Sequence, residues 1–404
     1  MSGRQALDHR LLALVIVALL FGLVLVYSSS CALSAKHFGS STYLLRKQLI
    51  AAALGLGVLL LLARLDYHRL QRWDDLLLLL AFGLTLLTAF PGLGRGGRWL
   101  RLGPFLFQPS ELLKLALIIY TAAAIVRRGP RIRNFTEGVL PHLIVLALAA
   151  LLVLRQPDFG MALIYGFIVY GLLFLGGARV KHLLGTVLAA LPLLYLLLRG
   201  SSYRWERIIA FLDPFEHSAT GGYQTVQSLI AVGSGGLLGR GLGMGREKLL
   251  YLPSAHNDFI FAVIGEELGL LGGLFVLTVF TLFVLYGMRI ALSAPDEFGR
   301  LLGAGITLTI GLQAALNLGV TVGLLPVTGL TLPFISYGGS SLIVSLGMVG
   351  VLLNIARQVE GKGKEFESEG LGSWRGERWP SLPRAGDHGG VALPWRGPHR
   401  LRWG

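Results

Sequence analysis

Ten runs of mostly apolar residues follow one another between residues 11 and 356, and no other feature restricts the fold as much. They lie near 11–33, 46–63, 75–91, 108–126, 138–154, 160–177, 182–198, 258–288, 301–325 and 335–356. A helix needs about 20 such residues to cross the hydrocarbon of a bilayer. In lipid the backbone must satisfy its own hydrogen bonds, so each run reads as one helix. The run 258–288 is long for one crossing and must tilt or project beyond the bilayer. Composition excludes the soluble alternatives. Of 404 residues, 53% are hydrophobic and 14% charged, where a soluble domain carries about 25% charged residues. Cys31 is the only cysteine, so no intramolecular disulfide framework exists. The predicted architecture is all-α: a polytopic membrane protein of about ten transmembrane helices, with a long extracytoplasmic segment between spans seven and eight.

The N-terminal run follows Arg4 and Arg10 and extends from Leu11 to Tyr27 before Ser28-Ser29-Ser30-Cys31. It is longer than a signal-peptide core and many similar runs follow, so it reads as a retained first span. With the N-terminus inside, inner segments hold thirteen cations: Arg4, Arg10, Arg64, Arg69, Arg72, Arg127, Arg128, Arg131, Arg133, Arg179, Lys181, Arg289 and Arg300. Short outer loops hold seven: Lys36, Arg46, Lys47, Arg95, Arg98, Arg101 and Arg155. That bias predicts cytoplasmic termini and an even number of spans. The net charge of +14 is therefore a membrane signal rather than a nucleic-acid one, and no nucleic-acid partner is expected.

Orientation does not account for every cation. The outer loop 91–107 carries Arg95, Arg98 and Arg101 with no acid, and the outer segment 199–257 adds Arg199, Arg204, Arg207, Arg240, Arg246 and Lys248. An anionic ligand would use such charge; acidic lipid headgroups would attract it equally. Residues 359–404 differ from the rest. They are rich in Gly, Pro, Arg and Glu and hold four of the seven tryptophans, which predicts a disordered basic cytoplasmic tail after a membrane domain of 1–358.

Ionisable residues in or beside spans are functional candidates by default. Glu111 and Lys114 lie three apart on the fourth span, where they share a helix face and can pair. The stretch Tyr251 to Glu267 places His256, Asn257 and Asp258 at the outer start of the eighth span, with Glu266 and Glu267 two turns further in. Asp258 reads either as a helix N-cap or as a general base whose proton affinity rises in a partly dry cavity. The glycine-rich segment 221–245 either cradles an anion through its amides or forms a re-entrant turn. Ser336, Ser340 and Ser341 at the last span entrance offer hydroxyls to a polar ligand or allow close helix contact. No metal-ligand motif such as His-Glu-x-x-His is present.

These motifs, in this order, carry a resemblance. Arg98-Trp99-Leu100-Arg101-Leu102-Gly103-Pro104 runs into Phe107-Gln108-Pro109-Ser110-Glu111-Leu112-Leu113-Lys114. Then come Arg155-Gln156-Pro157-Asp158-Phe159-Gly160, Phe211-Leu212-Asp213-Pro214 and Gly222-Tyr223-Gln224. The segment Leu252-Pro253 through His256-Asn257-Asp258 to Glu266-Glu267-Leu268-Gly269 follows, and Leu332-Pro333-Phe334-Ile335-Ser336-Tyr337-Gly338-Gly339-Ser340-Ser341 closes the set. Over residues 11–358 the chain resembles the SEDS family of FtsW, RodA and SpoVE. Gly241-Leu242-Gly243, Lys248, Tyr251-Leu252-Pro253 and Gly222-Tyr223-Gln224 look more like FtsW, and Leu325 to Gly329 more like RodA; the FtsW-like branch is favoured. Asn257 stands where the family usually has Thr, and Ser254 where Glu is usual.

The resemblance implies a ten-span peptidoglycan glycosyltransferase of the bacterial cytoplasmic membrane that polymerises lipid II for division or elongation. Asp258 matches the family's catalytic carboxylate. Arg98, Arg101, Arg204 and Lys248 are the candidate outer-face cations for pyrophosphate. Trp99, Glu111, Lys114, His256, Ser340 and Ser341 complete the candidate substrate contacts. The family suggests dependence on a divalent cation, Mg or Mn, with no ligand set readable here. It also suggests a class B penicillin-binding protein as partner, among other division or elongation proteins. Two other classes stay open: a lipid II flippase, and a scaffold recruiting the transpeptidase.

Overall fold

A computed structural model describes residues 5–90, 94–103, 105–249 and 251–373. The chain forms two units, Met1–Lys362 and Gly363–Gly404, and the first carries everything below except the end of the last helix. Its helices are α1 (Gln5–Phe38), α2 (Tyr43–Arg64), α3 (His68–Arg72), α4 (Asp74–Leu87), α5 (Pro109–Arg128), α6 (Leu140–Arg155) and α7 (Phe159–Leu175). They continue with α8 (Val180–Arg199), α9 (Ser202–Leu212), α10 (Tyr223–Gly235), α11 (Ile260–Leu292), α12 (Glu297–Thr321) and α13 (Gly339–Ser373). Each predicted apolar run coincides with a helix. Among the described residues, eight helices are long and apolar enough to cross a membrane. The third and sixth runs fold as shorter helices, α4 with 14 residues and α7 with 17. Helix α13 continues past residue 358 to Ser373, and residues 374–404 of the expected tail lie outside the described residues.

Packing sorts the helices by polarity. Within their apolar windows, 89% of α13 and 78% of α5 are buried inside the protein, against 6% of α8. The central helices therefore carry the polar side chains, because only there can other protein groups satisfy them. On α12, Thr307, Thr309 and Thr321 return their hydroxyls to the carbonyls of Gly303, Gly305 and Asn317 at 2.7–2.8 Å. Helix α1 crosses the segment before α13 at Gly22, where a Cβ would lie 2.6 Å from the Cα of Ile335. That contact needs the smallest residue.

Two features depart from a simple bundle. The loop expected over 91–107 folds as a three-stranded antiparallel sheet of β1 (Gly94–Arg95), β2 (Trp99–Leu102) and β3 (Phe105–Phe107). Arg95 pairs with Trp99, and Leu100 pairs with Phe107. Gly96 and Gly97 turn the first hairpin with φ of 61° and 69°, a conformation that glycine adopts without steric cost. Helix α11 breaks at Gly269 (φ 64°, ψ −155°). The break frees the carbonyls of Glu266 and Glu267 for the amides of Arg240 (3.0 Å) and Gly241 (2.9 Å). The glycine-rich loop is thereby stitched onto the broken helix.

Candidate functional site

Five helices begin at one end of the bundle around a cavity of about 590 Å³. They are α2, α5, α7, α11 and α13, the second, fourth, sixth, eighth and tenth apolar runs, so all even-numbered crossings start on this face. Most of the lining residues sit in the first two turns of these helices or just ahead of them: Lys47 and Gln48, Gln108 and Glu111, Asp158 and Met161, Asn257 and Asp258, and Gly338 to Ser341. Arg98 and Trp99 reach in from the sheet, and Gly329 to Thr331 from the segment before α13. Free amides give a helix N-terminus partial positive charge, so converging N-termini make this end of the molecule hospitable to an anion.

Asp258 sits in the loop ahead of α11. It does not cap that helix: the N-cap position is Phe259, which has no side-chain cap. Burial, with help from the negative charge of Asp158, pushes its carboxyl up to about 6, against the pull of Arg207 and Arg98. Asp158 is also raised, first by burial, with Arg98 opposing. Its Oδ1 caps α7 by accepting from the amide of Met161 at 3.1 Å, and its Oδ2 accepts from Gln108 Nε2 at 3.4 Å. The cavity thus holds three carboxylates, Glu111, Asp158 and Asp258: Glu111 is paired with Lys114 and Asp158 is engaged as a cap, while Asp258 is neither.

Behind the cavity wall, Lys114 Nζ donates to Glu111 Oε2 at 2.6 Å and to Gln313 Oε1 at 2.8 Å. Gln313 Nε2 then donates to the carbonyl of Thr331 at 2.9 Å, and Thr331 donates to Ser341 Oγ at 3.2 Å. Lys114 does not itself line the cavity; it fixes Glu111, which does. Ser340 Oγ accepts from the amide of Gln108 at 3.0 Å, joining the starts of α5 and α13.

Several other candidate residues meet protein partners or lie away from the cavity. Arg98 lines the cavity, but its guanidinium donates to the main-chain carbonyls of Gln156 and Pro157 and so holds the turn that carries Asp158. Lys248 does not line the cavity. It is buried and donates to Glu267 and to Ser28 Oγ. Arg101 is exposed on β2 and lies outside the cavity lining. His256 also lies outside that lining and packs against Tyr337, ring centroids 5.6 Å apart. Burial pushes its imidazole down to about 4, so it is neutral at neutral pH. The Arg204 side chain lies outside the described residues. Conversely, Lys47, Gln48, Gln108 and Asp158 were not singled out as site residues. Gln108 and Asp158 are legible in the sequence as parts of motifs, Lys47 as an outer-loop cation and Gln48 as an ordinary polar residue at a span start. Arg207, which faces Asp258 electrostatically, donates to the carbonyl of Val327 at 3.0 Å.

Among the described residues no group of three or more His, Cys, Asp or Glu side chains assembles. Asp158 and Asp258 both line the cavity, and carboxylate oxygens are the ligands that a hard divalent cation takes.

With this geometry in view, the family model for the FtsW/RodA/SpoVE cell cycle proteins matches residues 9–361. The chain belongs to the FtsW/RodA/SpoVE family. It is 43% identical over 358 residues to a probable peptidoglycan glycosyltransferase FtsW of Geobacter sulfurreducens, covering 88% of this chain and 96% of that one. Among solved structures it is similar to a chain from a study of how a peptidoglycan synthase complex coordinates polymerization and crosslinking. That match has a TM-score of 0.71 and 32% identity, over 86% of this chain and 97% of that one. It is also similar to the rod shape determining protein RodA of Thermus thermophilus, with a TM-score of 0.63 and 30% identity, over 86% and 95%.

Proposed function

We propose that the protein is a peptidoglycan glycosyltransferase that polymerises lipid II, acting in cell division as its FtsW-named relatives suggest. The observation that carries this reading is Asp258: a carboxylate raised to about 6, in a cavity ringed by helix N-termini. In the reaction, a sugar hydroxyl of the acceptor loses its proton to Asp258 as its oxygen attacks the anomeric carbon of the donor. The bond from that carbon to the pyrophosphate oxygen breaks, and the lipid pyrophosphate leaves with its electron pair. A carboxylate with a pKa near 6 is ionised at neutral pH yet basic enough to accept the proton. Positive ends of helices and Lys47 stabilise the departing pyrophosphate. A divalent cation, held by Asp158 together with substrate phosphate, would add Lewis-acid stabilisation of the leaving group.

The cavity opens at the outer face of the bacterial cytoplasmic membrane, with both chain termini cytoplasmic. The cation bias of the inner loops supports this orientation. The partner is a class B penicillin-binding protein, a reading supported by similarity to a chain of a peptidoglycan synthase complex. Residues 1–358 form the membrane enzyme and 359–404 a cytoplasmic tail. Incubation of the purified chain with lipid II, with product strands resolved by gel, tests the reading. Glycan ladders are expected. Lipid translocation across vesicles without polymer would overturn it in favour of a flippase.

A further inference from the structure

Three consecutive peptide carbonyls ahead of α11 are each held from another part of the chain. The carbonyl of His256 accepts from the amide of Tyr337 at 2.9 Å, and that of Asn257 from Ser336 Oγ at 2.6 Å. The carbonyl of Asp258 accepts from Asn317 Nδ2 at 2.8 Å. Both side-chain donors are themselves tied down. Ser336 Oγ accepts from the amide of Leu332 at 2.9 Å, and Asn317 Nδ2 also donates to the carbonyl of Leu330 at 2.7 Å. The two protons of one amide group therefore join the Asp258 loop to the segment before α13. Asn317 is 1% exposed and Ser336 4%, so water does not compete for these bonds.

Both joined segments are strained. Ser254 has φ of 57° and Phe334 φ of 64°, a left-handed region costly for residues with a Cβ. Such conformations persist only where surroundings over-determine them, and they cluster at functional sites. The clasp supplies that constraint. Asp258 needs it, because its side chain caps no helix and so does not orient itself in that way. The origin of its side chain, the Cα–Cβ bond, is set by its backbone, and Asn317 and Ser336 hold that backbone.

We propose that Asn317 and Ser336 are positioning residues for the Asp258 carboxylate, resting on the reading that Asp258 is the base. They touch no reacting atom; they fix the peptide from which the base projects. Misplacing a reacting group by about 1 Å can cost about a hundredfold in rate, so loss of either donor should lower kcat while leaving KM nearly unchanged.

The test uses the full-length chain in lipid nanodiscs and two readouts. Lipid II polymerisation is measured for wild type, Asn317→Ala, Ser336→Ala and Ser336→Thr. The alanine variants should lose about tenfold to a hundredfold in kcat with KM within about threefold. Ser336→Thr, which keeps the hydroxyl, should recover most of the loss. Separately, the thiol of an Asp258→Cys chain is labelled by a water-soluble methanethiosulfonate with and without Asn317→Ala. The added substitution should change the labelling rate about fivefold or more, as expected of a released loop. Unchanged kcat and unchanged labelling would overturn the proposal, as would a loss in Ser336→Ala that Ser336→Thr does not repair. A labelling change in a chain whose wild type makes no polymer would overturn the glycosyltransferase reading and leave the loop contact standing.

Discussion

Lys114 Nζ lies 2.6 Å from Oε2 of Glu111, one turn earlier on α5, and both side chains are nearly inaccessible. Glu111 lines the cavity, so the lysine determines how a cavity carboxylate is presented. Removing one partner leaves an uncompensated buried charge, which costs about 3–5 kcal/mol, whereas replacing both with apolar residues is often nearly neutral. Lys114→Met should therefore unfold at clearly lower temperature than the double variant Glu111→Leu/Lys114→Met. Thermal unfolding in detergent checks this. Equal losses in both would show that the pair contributes through packing rather than charge.

Lys248 should behave as a structural residue. Its ammonium meets Glu267 and Ser28 Oγ inside the bundle. Lys248→Met should lower thermal stability by an amount corresponding to about 3–5 kcal/mol, while the folded fraction keeps its KM for lipid II. Exposed Arg101, outside the cavity lining, should tolerate Arg101→Gln in both readouts. Initial-rate kinetics alongside melting curves decide the matter. A large KM increase with unchanged stability would return either cation to the substrate site.

The raised proton affinity of Asp258 gives two pH signatures. Activity should fall on the acid side with a midpoint of about 6, because only the ionised form accepts a proton. Arg207 opposes the rise, so Arg207→Gln should move the midpoint upward. A rate–pH profile of both proteins measures this, and a midpoint that moves downward would contradict the electrostatic reading.

The second signature is in stability. The folded pKa, about 6, lies above the ordinary value of 3.8, so the folded state binds more protons between them and gains stability as pH falls through that window. Above it, the ionised carboxylate destabilises the fold. Asp258→Asn removes that penalty and should raise stability at about pH 8 by about 1–2 kcal/mol, discounting the shift for solvent contact. The gain should fade towards about pH 4, where Asp258 is protonated in the folded chain. Melting curves at both pH values provide the check.

Much of this molecule was legible in its sequence because lipid imposes a length rule that needs no tertiary information. All ten apolar runs are helices, although α4 and α7 are shorter than the rule suggests. The sheet over 94–107 was not legible, since strands of two to four residues carry no readable period. Asp258 stood out because a carboxylate at a span entrance is costly and rare. The cations misled: the partners of Arg98 are main-chain carbonyls 58 and 59 residues away, and Ser28 is 220 residues from Lys248. Charge and side of the membrane are written in the sequence, but whether a cation already has a partner is decided by folding. The Asn317 contact is illegible for the same reason, since an asparagine inside an apolar run does not reveal which carbonyls it meets.

The most direct test of the account is the initial rate of lipid II polymerisation by Asp258→Asn against wild type at neutral pH, with folding verified by thermal melting. Loss of a positioned general base should lower the rate by about a hundredfold to ten-thousandfold in a protein at least as stable as wild type. Polymer synthesis within a few-fold of the wild-type rate would contradict the assignment of Asp258 and, with it, the mechanism built on this cavity.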